Sequence, residues 1–209
     1  NEVDQSKIYI SLTLQYSLQN NKTSLIATYS DGGVTGKRIK LSSPASSYVN
    51  NEKMDEINDI TFDPFGICYH KEKTGIINEA IFTFTDLNSK QYINAVNSLS
   101  TIDFNSHTSK SIGRSADWII TWDGSSIAKD EKIELSLSMV DSIKVQSFFI
   151  DSVGLSSITI SQSELANMSA GNYKIHLSRS KVFPIQSTTK AGGSIISIMK
   201  SKEINVTLQ

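Results

Sequence analysis

The densest group of side chains able to do chemistry is a run of carboxylates, Glu52, Asp55, Glu56 and Asp59. Paired carboxylates act as acid and base in glycoside cleavage. Carboxylate oxygens also suit Ca²⁺, which takes about six to eight oxygen ligands. The spacing lacks the D-x-D-x-D-G order of a dedicated calcium loop. The default is therefore a solvated charged loop, with Asp55, Glu56 and Asp59 as the metal candidates and no residue assigned as catalytic. Cys68 is the only cysteine, so no intrachain disulfide is available, and His70 lies two residues beyond it. A lone cysteine in an apolar run is most simply a small buried hydrophobe. His70, His107 and His176 show no metal-ligand spacing. Asp31-Gly32-Gly33 followed by Gly36-Lys37 lacks the full phosphate-loop order and reads as a turn. There is no G-x-S-x-G elbow to activate a serine. No cofactor is expected.

Exposed aromatic residues are the better lead. Tyr9 falls on the polar side of an alternating run, Tyr48 in an irregular stretch, and Trp122 beside the Asp123-Gly124 turn. Such rings stack on sugars or anchor protein partners. Tyr9, Tyr48 and Trp122 are the ligand-binding candidates, and the expected partner is an unidentified protein or a glycan.

Composition narrows the classes. The chain has 209 residues, with 20 Lys+Arg against 21 Asp+Glu. Without a basic excess or stripe, nucleic-acid binding is not expected. Mean hydropathy is -0.19, and no apolar run is long enough for a transmembrane helix. Lys181, Lys190, Lys200 and Lys202 give a mildly basic tail region that reads as solvated surface. Matches to the glycosylation sequon at Asn21, Asn167 and Asn205 are read as chance. The chain opens on Asn1 rather than Met, and the expectation is that a targeting segment has been removed. Polar faces rich in Ser, Thr and Asn point to an envelope or extracellular location.

The elements that must position these residues are strands. Ile8, Ile10, Leu12, Leu14 and Tyr16 alternate with Tyr9, Ser11, Thr13 and Gln15. Ile133, Leu135, Leu137 and Met139 repeat the pattern, as do Ile204, Val206 and Leu208. Successive side chains of a strand point to opposite faces, so each run makes one dry face and one wet one. Strands are expected over 7–18, 24–30, 37–42, 65–71, 76–86 and 91–96, with an irregular loop at 43–61. The pattern fades over 105–116 and restarts over 117–123, 132–140, 145–151, 156–161, 172–179, 194–200 and 203–208. Ser161 and Glu164 suggest a capped helical turn over 163–168.

In the second half, Trp118, Ile120 and Trp122 share one face, and Leu165, Met168 and Gly171 precede Tyr173. These features resemble a fibronectin type III or immunoglobulin-like module over 113–209. The resemblance implies a buried Trp strand and a Leu-containing corner before a Tyr. The Leu165-to-Tyr173 gap is longer than the usual corner, which leaves the corner's hydrogen bond open. Taken together, the halves resemble tandem sandwich domains of bacterial cell-surface lipoproteins. That resemblance implies membrane contact only through a lipid anchor outside these residues.

The expectation is an all-β chain of two tandem antiparallel β-sandwich domains, 1–111 and 112–209, the second immunoglobulin or fibronectin III-like. The expected role is non-enzymatic structural, adhesive or partner binding, with the first strand and 203–209 as candidate free edges. The alternatives are a carbohydrate-binding module and a hydrolase on a sandwich scaffold.

Overall fold

A computed structural model describes residues 3–58, 66–140, 143 and 145–209. The chain is all-β. Its strands in order are β1 (Ile8–Ser17), β2 (Lys22–Asp31), β3 (Ser46–Val49), β4 (Glu52–Lys53), β5 (Asp55–Ile57), β6 (Cys68–Thr74), β7 (Glu79–Thr85) and β8 (Gln91–Asn97). There follow β9 (Asp103–Phe104), β10 (Ser111–Ile112), β11 (Trp118–Asp123), β12 (Glu131–Met139), β13 (Val145–Ile150) and β14 (Ser157–Ile160). A short helix, α1 (Gln162–Ala166), precedes β15 (Gly171–Phe183), β16 (Gly193–Lys200) and β17 (Ile204–Leu208).

The backbone divides into two compact units. The first comprises 1–16, 21–98 and 182–197; the second comprises 17–20, 99–181 and 198–209. A single cut at 112 does not reproduce this division. β15 and β16 outrun the second unit, so the segment 182–197 returns to the first. The stretch 105–116 is not a linker either, because it carries β10.

In the first unit, one sheet runs β16-β1-β2-β6-β5 and the other β4-β3-β7-β8. The alternation of β1 is realised in full: Ile8, Ile10, Leu12 and Leu14 are buried. They share one core with Leu25, Ala27 and Tyr29 of β2, Phe82 and Phe84 of β7, Tyr92 of β8 and Ile195 of β16. The Tyr29 ring stacks on Phe84 at 4.4 Å between centroids, and Phe84 lies 5.7 Å from Tyr92. Two facing sheets sharing one apolar interior make a β-sandwich. The strand expected over 37–42 is reduced to a bridge between Ser30 and Arg38. The loop expected over 43–61 instead holds β3, β4 and β5. Asn50 and Asn51, at φ 48° and 63°, make the two-residue turn joining β3 to β4. Positive φ at both positions suits asparagine and matches strand twist.

In the second unit, β14-β11-β9 forms one sheet, and β13-β12-β15-β17-β10 forms the other. One pair, β10 with β17, is parallel. Trp118, Ile120 and Trp122 are buried while Ile119 between them is 63% exposed. The Ser161 side chain caps α1 and Glu164 closes the reciprocal capping box. The Tyr173 hydroxyl donates to the Ser169 carbonyl at 2.7 Å. This is the backbone bond of a tyrosine corner, and with the strand order it makes the unit immunoglobulin/fibronectin III-like.

Neither expected free edge is free. β1 lies between β16 and β2, and β17 lies between β10 and β15. Alternation marks a strand's buried face and says nothing about how many neighbours it has.

Candidate binding site

β3 buries Ser47 and Val49, which turns Ser46 and Tyr48 outward. After the Asn50-Asn51 turn, β4 pairs back on β3 with Lys53 opposite Tyr48. Met54 is the pivot. Its amide donates to the Ser47 carbonyl at 3.0 Å, and its sulfur accepts the Ser47 hydroxyl at 3.2 Å. One residue later, β5 joins the other sheet and pairs with β6. The change of sheet opens a groove of about 680 Å³, lined by Leu41, Pro44, Tyr48, Lys53, Glu56 and Tyr69 among others.

Buried hydroxyls hold the floor. Tyr69 Oη accepts from the Leu41 amide at 2.6 Å. Tyr29 Oη and Ser47 Oγ share a hydrogen bond at 2.7 Å. Burial pushes both tyrosine hydroxyls above their ordinary ionisation range; for Tyr69, the Leu41 amide opposes this and the nearby Glu56 charge adds to it. Both therefore act as neutral hydrogen-bonding groups at physiological pH.

The described carboxylates of this region are each matched to a lysine. Glu52 meets Lys73 at 2.5 Å, Asp55 meets Lys71 at 3.3 Å and Glu56 meets Lys40 at 2.7 Å. The hydrogen bond from Lys73 holds Glu52 below the usual carboxylate range. Asp55 and Glu56 are consecutive in one strand, so their side chains leave opposite faces. They do not converge as an acid/base pair. Among the described residues, no group of three or more His, Cys, Asp or Glu is placed to hold a metal ion. Asp55 and Glu56 each face a lysine; Asp59, the third metal candidate, lies outside the described residues. Cys68 is wholly buried.

On the other side of Tyr48 lies a second depression, of about 380 Å³, lined by Ser46, Tyr48, Asn51, Thr83, Thr85 and Gln91. Strand register assembles it. Tyr48 stands opposite Thr83, Ser46 opposite Thr85, and Thr85 opposite Gln91. Every lining side chain is neutral and carries a hydroxyl or an amide, groups that both donate and accept hydrogen bonds.

The three aromatic candidates do not form one patch. Tyr48 is half-buried between the two depressions. Tyr9 is half-buried on the other sheet of the same unit. Trp122, in the second unit, is 4% exposed, and its Nε1 donates to the Ser125 carbonyl at 3.1 Å. The expected partial exposure of Trp122 at the strand end is thus corrected: the ring is buried and its Nε1 is held by the turn after β11. Ser46, Thr83, Thr85 and Gln91 were not legible as a set. Alternation with Phe82 and Phe84 puts Thr83 and Thr85 on a wet face, but their alignment with Tyr48 depends on strand pairing.

No protein-family model matches the chain, and no curated protein matches it. Solved structures do show similarity in chain path. The chicken CNTN1 FN1-FN3 domains share 10% identity at a TM-score of 0.31, over 94% of this chain and 63% of that one. The chicken interferon gamma receptor alpha chain shares 9% identity at 0.30, over 94% and 95%. SGBP-B of the Bacteroides ovatus mixed-linkage glucan utilization locus, solved in complex with a mixed-linkage heptasaccharide, shares 13% identity at 0.27, over 92% and 54%. This chain thus spans less than two thirds of the first and third. Identities and TM-scores this low carry neither a family nor an activity across.

Proposed function

We propose that the protein is a non-enzymatic β-sandwich binding module of the cell envelope or exterior, engaging its partner through the surface on either side of Tyr48. One observation carries this reading. Two solvent-open depressions flank Tyr48, and Asp55 and Glu56 beside them pair with Lys71 and Lys40 rather than with each other. Such a surface can hydrogen-bond and stack, but it holds no poised acid and base. A groove of this size lies within the usual range of ligand sites, about 300–1,000 Å³. The Ser-, Thr- and Asn-rich polar faces support the location.

The six neutral lining residues favour carbohydrate over a charged ligand. Sugar hydroxyls need partners that both donate and accept, and one ring face suffices to stack a pyranose. Electrophoresis through gels cast with neutral β-glucan, galactomannan or xylan tests this. At least one gel should retard the protein, with Tyr48→Ala weakening retardation about tenfold, or ~1.4 kcal/mol. Unchanged mobility in all three gels would overturn the carbohydrate reading and leave a protein partner. Turnover of any of these polymers that depends on Asp55 or Glu56 would overturn the non-enzymatic reading itself.

A further inference from the structure

We propose that the free edge of β13 pairs with the same edge of a second copy of this chain, antiparallel about a two-fold axis at Ser147. This interaction is separate from the Tyr48 surface and does not depend on it.

The contrast with the other sheet edges carries the argument. Exposed edges are normally kept short, charged or covered, because their unpaired backbone groups recruit other strands. Here β4, β9 and β10 are two residues long. β14 has four residues. β5 presents Asp55 and Glu56 with their lysines. β8 is covered by a side chain: Gln186 Oε1 accepts from the Ala95 amide at 3.0 Å while its Nε2 donates to the Ala95 carbonyl at 3.1 Å. β13 has none of these protections. It is six residues long, Val-Gln-Ser-Phe-Phe-Ile, with no charge, no proline and no buried residue. β12 pairs with it along its length, and among the described residues no strand pairs with its other side.

The strand's own sequence selects the occupant. Gln146, Phe148 and Ile150 stand opposite the buried Leu137, Leu135 and Ile133, so they lie on the core side of the sheet. Val145, Ser147 and Phe149 therefore face outward, with Val145 62% and Phe149 54% exposed. The Lys132 ammonium, 3.8 Å from the Phe149 ring centre, gives that ring partial cover. In an antiparallel pair, residues directly opposite each other share a face. Centring a self-pair on Ser147 sets each Val145 against the other copy's Phe149. An aromatic ring then meets a β-branched side chain on both sides of the axis, with Ser147 against Ser147 between them. Centring it on Phe148 would instead set Val145 against Asp151. The Ser147 register matches the two most exposed apolar groups of the strand, and no like charges meet.

Sedimentation velocity from low to high micromolar concentration tests the association. The intact chain should shift to twice its monomer mass, and Val145→Lys with Phe149→Lys should abolish the shift while the variant still unfolds cooperatively. Both sites are more than half exposed, so the double variant should fold. The register has its own test under mild oxidation, with the wholly buried Cys68 left in place. Ser147→Cys should crosslink two copies, because opposed residues sit about 4.5–5.5 Å apart, within disulfide reach. Gln146→Cys, offset from its own symmetry mate, should not. A chain that stays monomeric throughout, a dimer that survives the double lysine variant, or crosslinking at Gln146→Cys instead of Ser147→Cys would each overturn the proposal.

Discussion

Arg179 Nη1 donates to Glu131 Oε2 at 2.8 Å inside the second unit, with the arginine wholly buried and the glutamate 8% exposed. The same guanidinium reaches Ser125 Oγ at 3.0 Å and also donates to the Ser125 carbonyl. Glu131 Oε2 in turn accepts from the Ala128 amide at 3.0 Å. The pair thus clamps the loop between β11 and β12 against β15, and the Ser125 carbonyl it holds also receives Trp122 Nε1. The buried Trp122 and the buried ion pair are parts of one arrangement.

Removing one partner of such a pair leaves a buried charge uncompensated. Glu131→Ala should lower unfolding free energy by about 3–5 kcal/mol in urea titration, whereas replacing both partners with apolar residues should recover most of the loss. A cost below ~1 kcal/mol for Glu131→Ala, typical of an exposed pair, would contradict the clamp.

Tyr173→Phe removes only the hydroxyl of the tyrosine corner. The expected loss is about 0.5–1.5 kcal/mol, the net worth of one hydrogen bond. A denaturation midpoint unchanged from wild type would show that the bond to Ser169 contributes nothing.

Acid should destabilise both units. Burial lowers the pKa of His70, with Glu72 and Asp55 opposing, and it lowers that of His176, where Lys200 adds to the effect and Glu134 and Glu203 oppose it. The unfolded chain therefore takes up protons more readily at these sites than the folded one. The stability involved is fully present above the ordinary histidine value of 6.5 and is lost as pH falls through the lower folded values. Melting temperature followed from pH 7.5 downward should drop through this window, and the His70→Gln, His176→Gln double variant should flatten the drop. An unchanged slope in that variant would assign the acid sensitivity elsewhere.

A fragment ending at residue 111 should not fold alone. The first unit's core includes Ile195, and Asn94 of β8 accepts from the amides of Gln186 and Ser187, each at 2.9 Å. Residues 1–111 should show little fixed structure by circular dichroism or amide dispersion, and should gain it on mixing with 112–209. A fragment that is cooperatively folded by itself would contradict the discontinuous unit.

These residues also show what could be read in advance. Alternation located β1, β12 and β17, and the Ser161/Glu164 pair located α1, because strand faces and caps are local properties. The Asn50-Asn51 turn carried a local signal too, masked by the charges that follow it. Pairing was not local. Nothing in the sequence near Gln186 announces that it covers the edge of β8, or that Tyr48 and Thr83 stand side by side. The site was legible only in part. Tyr48 stands out in the sequence by its ring, whereas the threonines and Gln91 beside it come together only through strand register.

The central claim is that the surface flanking Tyr48 binds a partner, and amide chemical-shift mapping with neutral oligosaccharides tests it most directly. Saturable shifts should cluster at Ser46, Tyr48, Asn51, Thr83, Thr85 and Gln91, and Tyr48→Ala should move their titration to about tenfold higher ligand concentration while leaving the rest of the spectrum intact. Shifts that gather elsewhere, or that persist undiminished in Tyr48→Ala, would contradict the account.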